Sequence, residues 1–447
     1  MKIKKLEINN FRGFRQATVD FPESNLAVFI GVNGQGKSSV LDLVAIFLGY
    51  FTERWSSDRG RSSEPRLTIG FSDVNNNAKT TKNSITINVE KYPEEWRFEN
   101  SKVLKLVCGG GVDEGFYLLR DDHVTSYFAE RMDDKIFKEA NACLPLLFYL
   151  RANRFFEDTY ERDRREFQEN PKQHTALDNA ISQKITQFTD FLDWFRIEED
   201  KENELIKKER NFDLTNPSLQ PVRKAVTTFF SKLNGFSFTN LRVERDLPKS
   251  RNFAVAGFSS SLIISKNDQD FRLEQLSDGE KMLLMVVCDI ARRLSVANPG
   301  LSDPLEGRGI VLIDEIELHL HPKWQREVIP ALLATFPNIQ FLLSTHSPQV
   351  LSSVDSEDIF LLKNGEVLKL SSNPKGMDTN TILEEVMDNT PKYPHEVDIL
   401  IDELFSLIQQ RKFDQVQAAR RKVAEASPDN PVLQRADAMM ERLKILN

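Results

Sequence analysis

The stretch GVNGQGKSS, Gly31 to Ser39, constrains the fold of this chain more than any other, because glycines alternate with polar residues between two strongly apolar segments. Before it, LAVFI (Leu26 to Ile30) has the unbroken apolar character of a buried strand. After it, VLDLVAIFLGYF (Val40 to Phe51) carries apolar residues at helical spacing. Strand, glycine loop and helix in that order form a cradle for phosphate oxygens. Gly31, Gly34 and Gly36 let backbone N–H groups turn inward, and the helix N-terminus adds positive potential. Lys37 is placed to reach β and γ phosphates, and Ser38 to offer its hydroxyl to Mg²⁺.

Three later stretches supply what such a loop needs. In GIVLIDEIELHLHP (Gly309 to Pro322), IVLI reads as a second buried strand, ending in Asp314 and Glu315. A carboxylate at a strand's end can hold Mg²⁺ through water, and its neighbour can orient or deprotonate an attacking water; the two acids are expected to have different tasks. His319 and His321 lack the further ligands of a metal centre. His321 instead precedes Pro322, which suits the first position of a helix over KWQREVIPALLATF. In QLSDGEKMLLMVVCDIARRL (Gln275 to Leu294), Ser277 and Glu280 have capping-box spacing ahead of a long helix that ends near Asn298. Ser277 and Gly279 at that helix start also make an anion site. FLLSTHSPQVL (Phe341 to Leu351) is a third buried strand, and His346 just beyond Ser344 and Thr345 is well placed to sense a γ-phosphate.

FRGF (Phe11 to Phe14), GVNGQGKSS, LSDGEK, VLIDE and STHSP, in this order, resemble the ATP-binding heads of the ABC superfamily, and more narrowly its SMC/RecF/OLD branch. The resemblance implies an ATPase using ATP and Mg²⁺. The nucleotide would be held by Asn33, Gly34, Gln35, Gly36, Lys37, Ser38 and Ser39, and the metal by Ser38 and Asp314. Glu315 would be the base, His346 the switch histidine, and Arg12 the N-terminal arginine near the nucleotide. It also implies that Ser277 and Gly279, with Glu280 beside them, close over a nucleotide bound by a second protomer, so that hydrolysis is slow unless two heads pair. Two departures stand out. Asp278 occupies a position where many heads have glycine, and no glutamine follows the strand LPLLFYL (Leu144 to Leu150), leaving Arg151 or Asn153 as stand-ins.

The expected architecture is an α/β ABC-ATPase head, a P-loop sheet with N-terminal antiparallel strands, formed by residues 1–154 and 241–375. A charged, mostly helical lobe is inserted at 155–240, and a small helical region occupies 376–447. No heptad arm is present. The charged face of the lobe reads as solvated. After the hairpin IFLLKNGEVLKL, helices are expected over Ile399–Gln410, Phe413–Ala426 and Val432–Leu446. Val397, Leu400, Ile401, Leu404 and Ile408 form an apolar stripe fit for docking or for packing on the head.

This layout resembles the ATPase subunits (PtuA) of bacterial Septu anti-phage systems and their retron-associated kin. That resemblance implies a homo-oligomer regulating an HNH-type nuclease, docked through the C-terminal helices, with no nuclease domain in this chain. DNA is left open as a further partner, and a RecF-like repair clamp is the alternative; a transport ATPase is disfavoured by the missing coupling glutamine. With 447 residues, a net charge of −8, no stretch of membrane-spanning length and three scattered cysteines, the chain is expected to work in a reducing cytoplasm. The N-terminus, MKIKKLEINNFRGF, reads as a strand and not as a signal peptide.

Overall fold

The computed structural model describes residues 1–55, 68–89, 103–111, 115–121, 123–138, 142–155, 173–181, 186–187, 189–233, 235, 237–245, 260–370, 372–385, 395–410, 412–428 and 430–445. The chain divides into two compact units, Met1–Ile382 and Leu383–Asn447.

The first unit opens with β1 (Lys2–Phe11) and β2 (Phe14–Asp20), followed by β3 (Leu26–Ile30), from which the glycine loop runs into α1 (Lys37–Trp55). β4 (Thr80–Asn88), β5 (Val103–Gly111) and β6 (Gly115–Asp121) extend the initial pair into an antiparallel sheet of order β2-β1-β4-β5-β6. Next come α2 (His123–Lys138), β7 (Leu146–Leu150), the short pair β8 (Arg154–Phe155) and β9 (Thr186–Gln187), then α3 (Thr189–Glu209) and α4 (Gln220–Lys232). A small sheet of β10 (Phe238–Arg245), β11 (Ser260–Lys266) and β12 (Gln269–Arg272) precedes α5 (Asp278–Ala297). β13 (Gly309–Ile313), α6 (Pro322–Thr335), β14 (Ile339–Ser344), α7 (Pro348–Leu351), β15 (Ile359–Lys363), β16 (Glu366–Lys369) and α8 (Thr379–Glu385) follow.

The central sheet has the order β16-β15-β3-β14-β13-β7 and is parallel except for its edge strand β16. Every residue of β3, β7, β13 and β14 is buried, which explains their unbroken apolar runs: layers on both faces leave no side for polar alternation. α1 is apolar nearly all round because it lies between two sheets, touching β7 and β14 on one side and β5 on the other. Gln340 on β14 ties the sheets together; its Oε1 accepts from the Ile3 N–H at 2.7 Å and its Nε2 donates to the Ile3 carbonyl at 3.1 Å.

The charged segment differs from its expected solvated face. Part of it, including 156–172, lies outside the described residues. On α3, however, Glu198, Glu199 and Glu202 are buried, while Lys207 and Lys208, and Arg210 just beyond the helix, are exposed. Glu202 receives Arg223 of α4 through both guanidinium ends, at 2.9 and 2.8 Å, and Glu199 accepts the Val243 N–H of β10 at 2.9 Å. Charge spacing alone cannot distinguish such internal cross-links from solvent-facing acids, because the partners lie far along the chain.

In the second unit, α9 (His395–Gln409), α10 (Phe413–Ala426) and α11 (Pro431–Ile445) pack on one another. α9 starts four residues before the expected Ile399, with Glu396 and Asp398 in its first turn favoured by the helix dipole. Pro431 begins α11, since proline suits the first turn, where its missing N–H is not needed. The docking stripe requires correction. Ile401, Leu404 and Ile408 join Val416, Val423, Leu433 and Met440 in the unit's own core, with Val397 and Leu400 packed against it. The apolar face of α9 is thus consumed internally.

Candidate functional site

The strand order β3–β14–β13 sets three carboxyl ends side by side, with Phe29 paired to Ser344 and Leu343 to Ile313. Whatever follows those ends must gather at one edge of the sheet: the glycine loop, then His346, then Asp314 and Glu315.

The loop adopts backbone forms open to glycine, with φ of +83° at Gly34 and +94° at Gly36. At Gly36 space also excludes a side chain, since a β-carbon would fall 2.6 Å from the Phe14 ring. The loop is braced from outside by the β15–β16 turn, where the Asn364 N–H donates to Gln35 Oε1 at 2.6 Å. Asn33 and Gly34 face solvent. Lys37 is buried, its ammonium donating to the carbonyls of Gly31 at 2.9 Å and Val32 at 3.3 Å. Burial pushes its pKa below the ordinary lysine value, with Asp314, Glu315 and Glu317 pulling the other way.

Asp314 is a junction. Its Oδ1 accepts from Ser38 Oγ at 3.1 Å and from the buried Ser344 hydroxyl, while its N–H donates to the Leu150 carbonyl at 2.9 Å. Ser344 Oγ in turn accepts the Glu315 N–H at 2.8 Å, and the Ser344 carbonyl accepts the Ile316 N–H at 3.1 Å. Glu315 has φ of +51°, a left-handed form that costs a non-glycine residue about 1–2 kcal/mol and is sustained by these bonds from β14. One step further, Glu317 Oε1 accepts the His346 N–H at 2.5 Å. Burial and, after it, the Lys37 charge hold the half-buried His346 imidazole below its ordinary pKa, against Glu317, Glu315 and Asp314.

Arg12 sits in the β1–β2 turn with φ of +48°. Its Nε donates to Asp73 Oδ1 at 2.8 Å, and its Nη1 donates to Asp42 Oδ2 at 2.7 Å and lies 3.5 Å from Ser39 Oγ. The two carboxylates outweigh burial and raise its pKa further. Asp42, one turn beyond Ser38 on α1, also accepts from the Tyr149 hydroxyl at 3.0 Å and Arg151 Nη2 at 2.9 Å. Arg151, where the family glutamine is missing, therefore contacts the helix that follows the glycine loop.

The expected capping residues meet at the start of α5. Glu280 Oε2 accepts both the main-chain N–H and the hydroxyl of Ser277 at 2.9 Å, and Oε1 pairs with Lys266. Burial works to raise the Glu280 pKa, but these donors hold it below the ordinary carboxylate value. Gly279 packs on the loop beyond Glu315, where a β-carbon would lie 2.5 Å from the His319 carbonyl oxygen. Asp278 is exposed. Among the described hydrogen bonds, none joins Ser277, Gly279 or Glu280 to the glycine loop of the same chain. His321 caps α6, its ring nitrogen accepting the Lys323 N–H at 3.3 Å, and no acid, histidine and cysteine cluster able to hold a metal occurs among the described residues.

The structure thus brings Arg12, Asn33 to Ser39, Asp314, Glu315 and His346 to one edge and sets Ser277, Gly279 and Glu280 apart from that loop's hydrogen bonding. Sequence reasoning missed Asp42, Asp73 and Glu317. Only Asp42 left a signal, as the one acid in the apolar stretch Val40 to Phe51, four residues after Ser38. The donor set suits a magnesium nucleotide: a buried ammonium whose described partners are carbonyls, open glycine backbone, and a hydroxyl with a carboxylate, both hard oxygen donors.

Comparison with known proteins agrees with this geometry. Residues 26–352 match the family described as "AAA domain, putative AbiEii toxin, Type IV TA system". The chain belongs to this family. It is 29% identical to the Retron Ec83 probable ATPase of Escherichia coli, over 89% of this chain and 78% of that protein. It is 26% identical to the Septu protein PtuA of Bacillus mycoides (strain KBAB4), over 81% of this chain and 41% of that longer protein. A solved SMC head bound to the C-winged-helix domain of ScpA is similar at 18% identity and TM-score 0.46, covering 83% of this chain and 98% of that one. Family and relatives bear out the resemblance to retron-associated and Septu ATPases, and they support ATPase activity. No helix among the described residues is long and apolar enough to cross a membrane.

Proposed function

We propose that this chain is the ATP-binding and ATP-hydrolysing regulatory subunit of an anti-phage defence complex, pairing head to head and controlling an HNH-type nuclease. The observation that carries this reading is the meeting of Ser38 and Asp314 at 3.1 Å beside Lys37, Glu315 and His346. Its defence role is supported by the likeness to retron and Septu proteins.

Bound Mg²⁺ would supply charge neutralisation between Ser38 and Asp314. Lys37 would exchange its carbonyl partners for phosphate oxygens, Glu315 would accept the proton of the attacking water, and His346 would report the terminal phosphate. Ser277 is exposed, and its hydroxyl is bonded to Glu280 and to no other described residue, which favours its use by a second protomer. The C-terminal unit would meet the nuclease through its outer, polar faces, since its apolar stripe is internal.

The test mixes Lys37→Ala and Ser277→Arg protomers, each inactive alone. A mixed pair has one composite site carrying both lesions and one carrying neither, so hydrolysis should recover. No recovery, with exchange of protomers verified by mass, would count against paired heads. Truncation after Ile382 should leave ATP binding intact and abolish recovery of the nuclease on purification. Salt-sensitive duplex binding by a chain that recovers no nuclease would favour the RecF-like alternative.

A further inference from the structure

Glu317 belongs to none of the motifs, yet it stands two residues beyond Glu315 and is cross-linked to His346, two residues beyond the end of β14. Its Oε1 accepts the His346 N–H at 2.5 Å. Its Oε2 is shielded from solvent and has no hydrogen-bond partner among the described residues. A carboxylate oxygen in that condition is costly, about 1–3 kcal/mol or more, unless a donor reaches it when the protein works. The nearby charges are informative: Glu317 interacts favourably with both Lys37 and His346. A purely structural cross-link would require one acceptor oxygen, and asparagine or glutamine would provide it without a buried charge.

We propose that Glu317 is a positioning residue for hydrolysis: Oε1 fixes the backbone of His346, and Oε2 accepts a hydrogen bond from the water that attacks the nucleotide. Glu315 remains the group that takes the proton, so Glu317 neither gains nor loses one. Two carboxylates on one loop then divide the work. Glu315, strained at φ of +51°, is presented from β13, and Glu317 aligns water with the histidine loop of β14.

This inference rests on the proposed ATP hydrolysis, and wild-type protein tests that reading separately. The informative pair is Glu317→Gln and Glu317→Ala in the full chain. Glutamine can keep an oxygen on the His346 N–H but places an amide, a donor, where Oε2 stood; alanine removes both functions. Expected for Glu317→Gln is a thermal midpoint and ATP affinity like wild type, measured with a fluorescent ATP analogue, and a kcat lowered about ten- to hundredfold with KM nearly unchanged. It should also retain ATP over ADP on gel filtration, as expected when the hydrolytic step is slowed and binding is not. Glu317→Ala should lose both midpoint and turnover. Wild-type turnover in Glu317→Gln would overturn the role of Oε2 and leave a structural link only. Equal loss of midpoint in both variants would overturn it as well, by assigning the effect to folding. A wild-type chain that neither binds nor hydrolyses ATP overturns this inference together with the function it rests on.

Discussion

Ser344 holds Glu315 in place: the hydroxyl oxygen accepts the Glu315 N–H at 2.8 Å while its proton goes to Asp314. One side chain on β14 therefore sets the Asp314 carboxylate and the strained backbone of Glu315 together. The valence of a hydroxyl, one proton and lone pairs to spare, is what permits both.

Ser344→Ala should consequently impair two functions at once. A buried bond to a charged carboxylate is lost, at about 1.5–3 kcal/mol, and Glu315 is freed to relax toward ordinary φ. Calorimetry should show the loss of stability, and turnover should fall more steeply than ATP affinity. Equal falls in both would deny Ser344 its hold on Glu315.

Asp42→Asn should weaken the link between α1 and the end of β7. Arg12 keeps Asp73, but Arg151 and Tyr149 lose their charged acceptor. A destabilisation of about 1–3 kcal/mol by denaturant titration is expected. Tyr149, whose hydroxyl pKa is raised chiefly by burial and then by the Asp42 charge, should ionise at lower pH in the variant.

The His346 imidazole should titrate below the ordinary histidine value by NMR. Its native pKa lies under the unfolded one, so its contribution to stability is complete above the ordinary imidazole range and is lost as pH falls through that range toward the native value. Lys37→Ala should raise the midpoint by removing the second cause, while burial keeps it depressed. A midpoint above the free value would refute this electrostatic account.

Leu404→Asp should unfold the C-terminal unit, because Leu404 is fully buried in its core and a charge there costs more than about 3 kcal/mol. Helical signal should fall and protease should cut beyond Ile382. Native-like stability would mean that α9 does not bury this stripe.

The five motifs were legible because each is local: Phe11 to Phe14, Gly31 to Ser39, Ser277 to Glu280, Asp314 with Glu315, and Ser344 to His346 carry their chemistry in consecutive or nearly consecutive residues. The strands were legible for the same reason, since burial on both faces writes an unbroken apolar run. What the sequence withheld is pairing across distance. Nothing near Ser344 announces Asp314, and nothing near Arg12 announces Asp42 and Asp73. The acids of α3 look alike in the sequence, though Glu202 is clamped by Arg223 and Glu204 is exposed. Periodicity also reports an apolar face without reporting its cover, which is why the α9 stripe looked available.

The Asn364–Gly365 turn is where an engineer would insert a tag or graft a reporter, since short polar hairpins usually tolerate interruption. Here the Asn364 N–H grips Gln35, and a β-carbon on Gly365 would stand 2.7 Å from the Gly13 carbonyl oxygen. Lengthening the turn would remove a brace from the glycine loop, so an epitope placed there would act as an inhibitor of its own host.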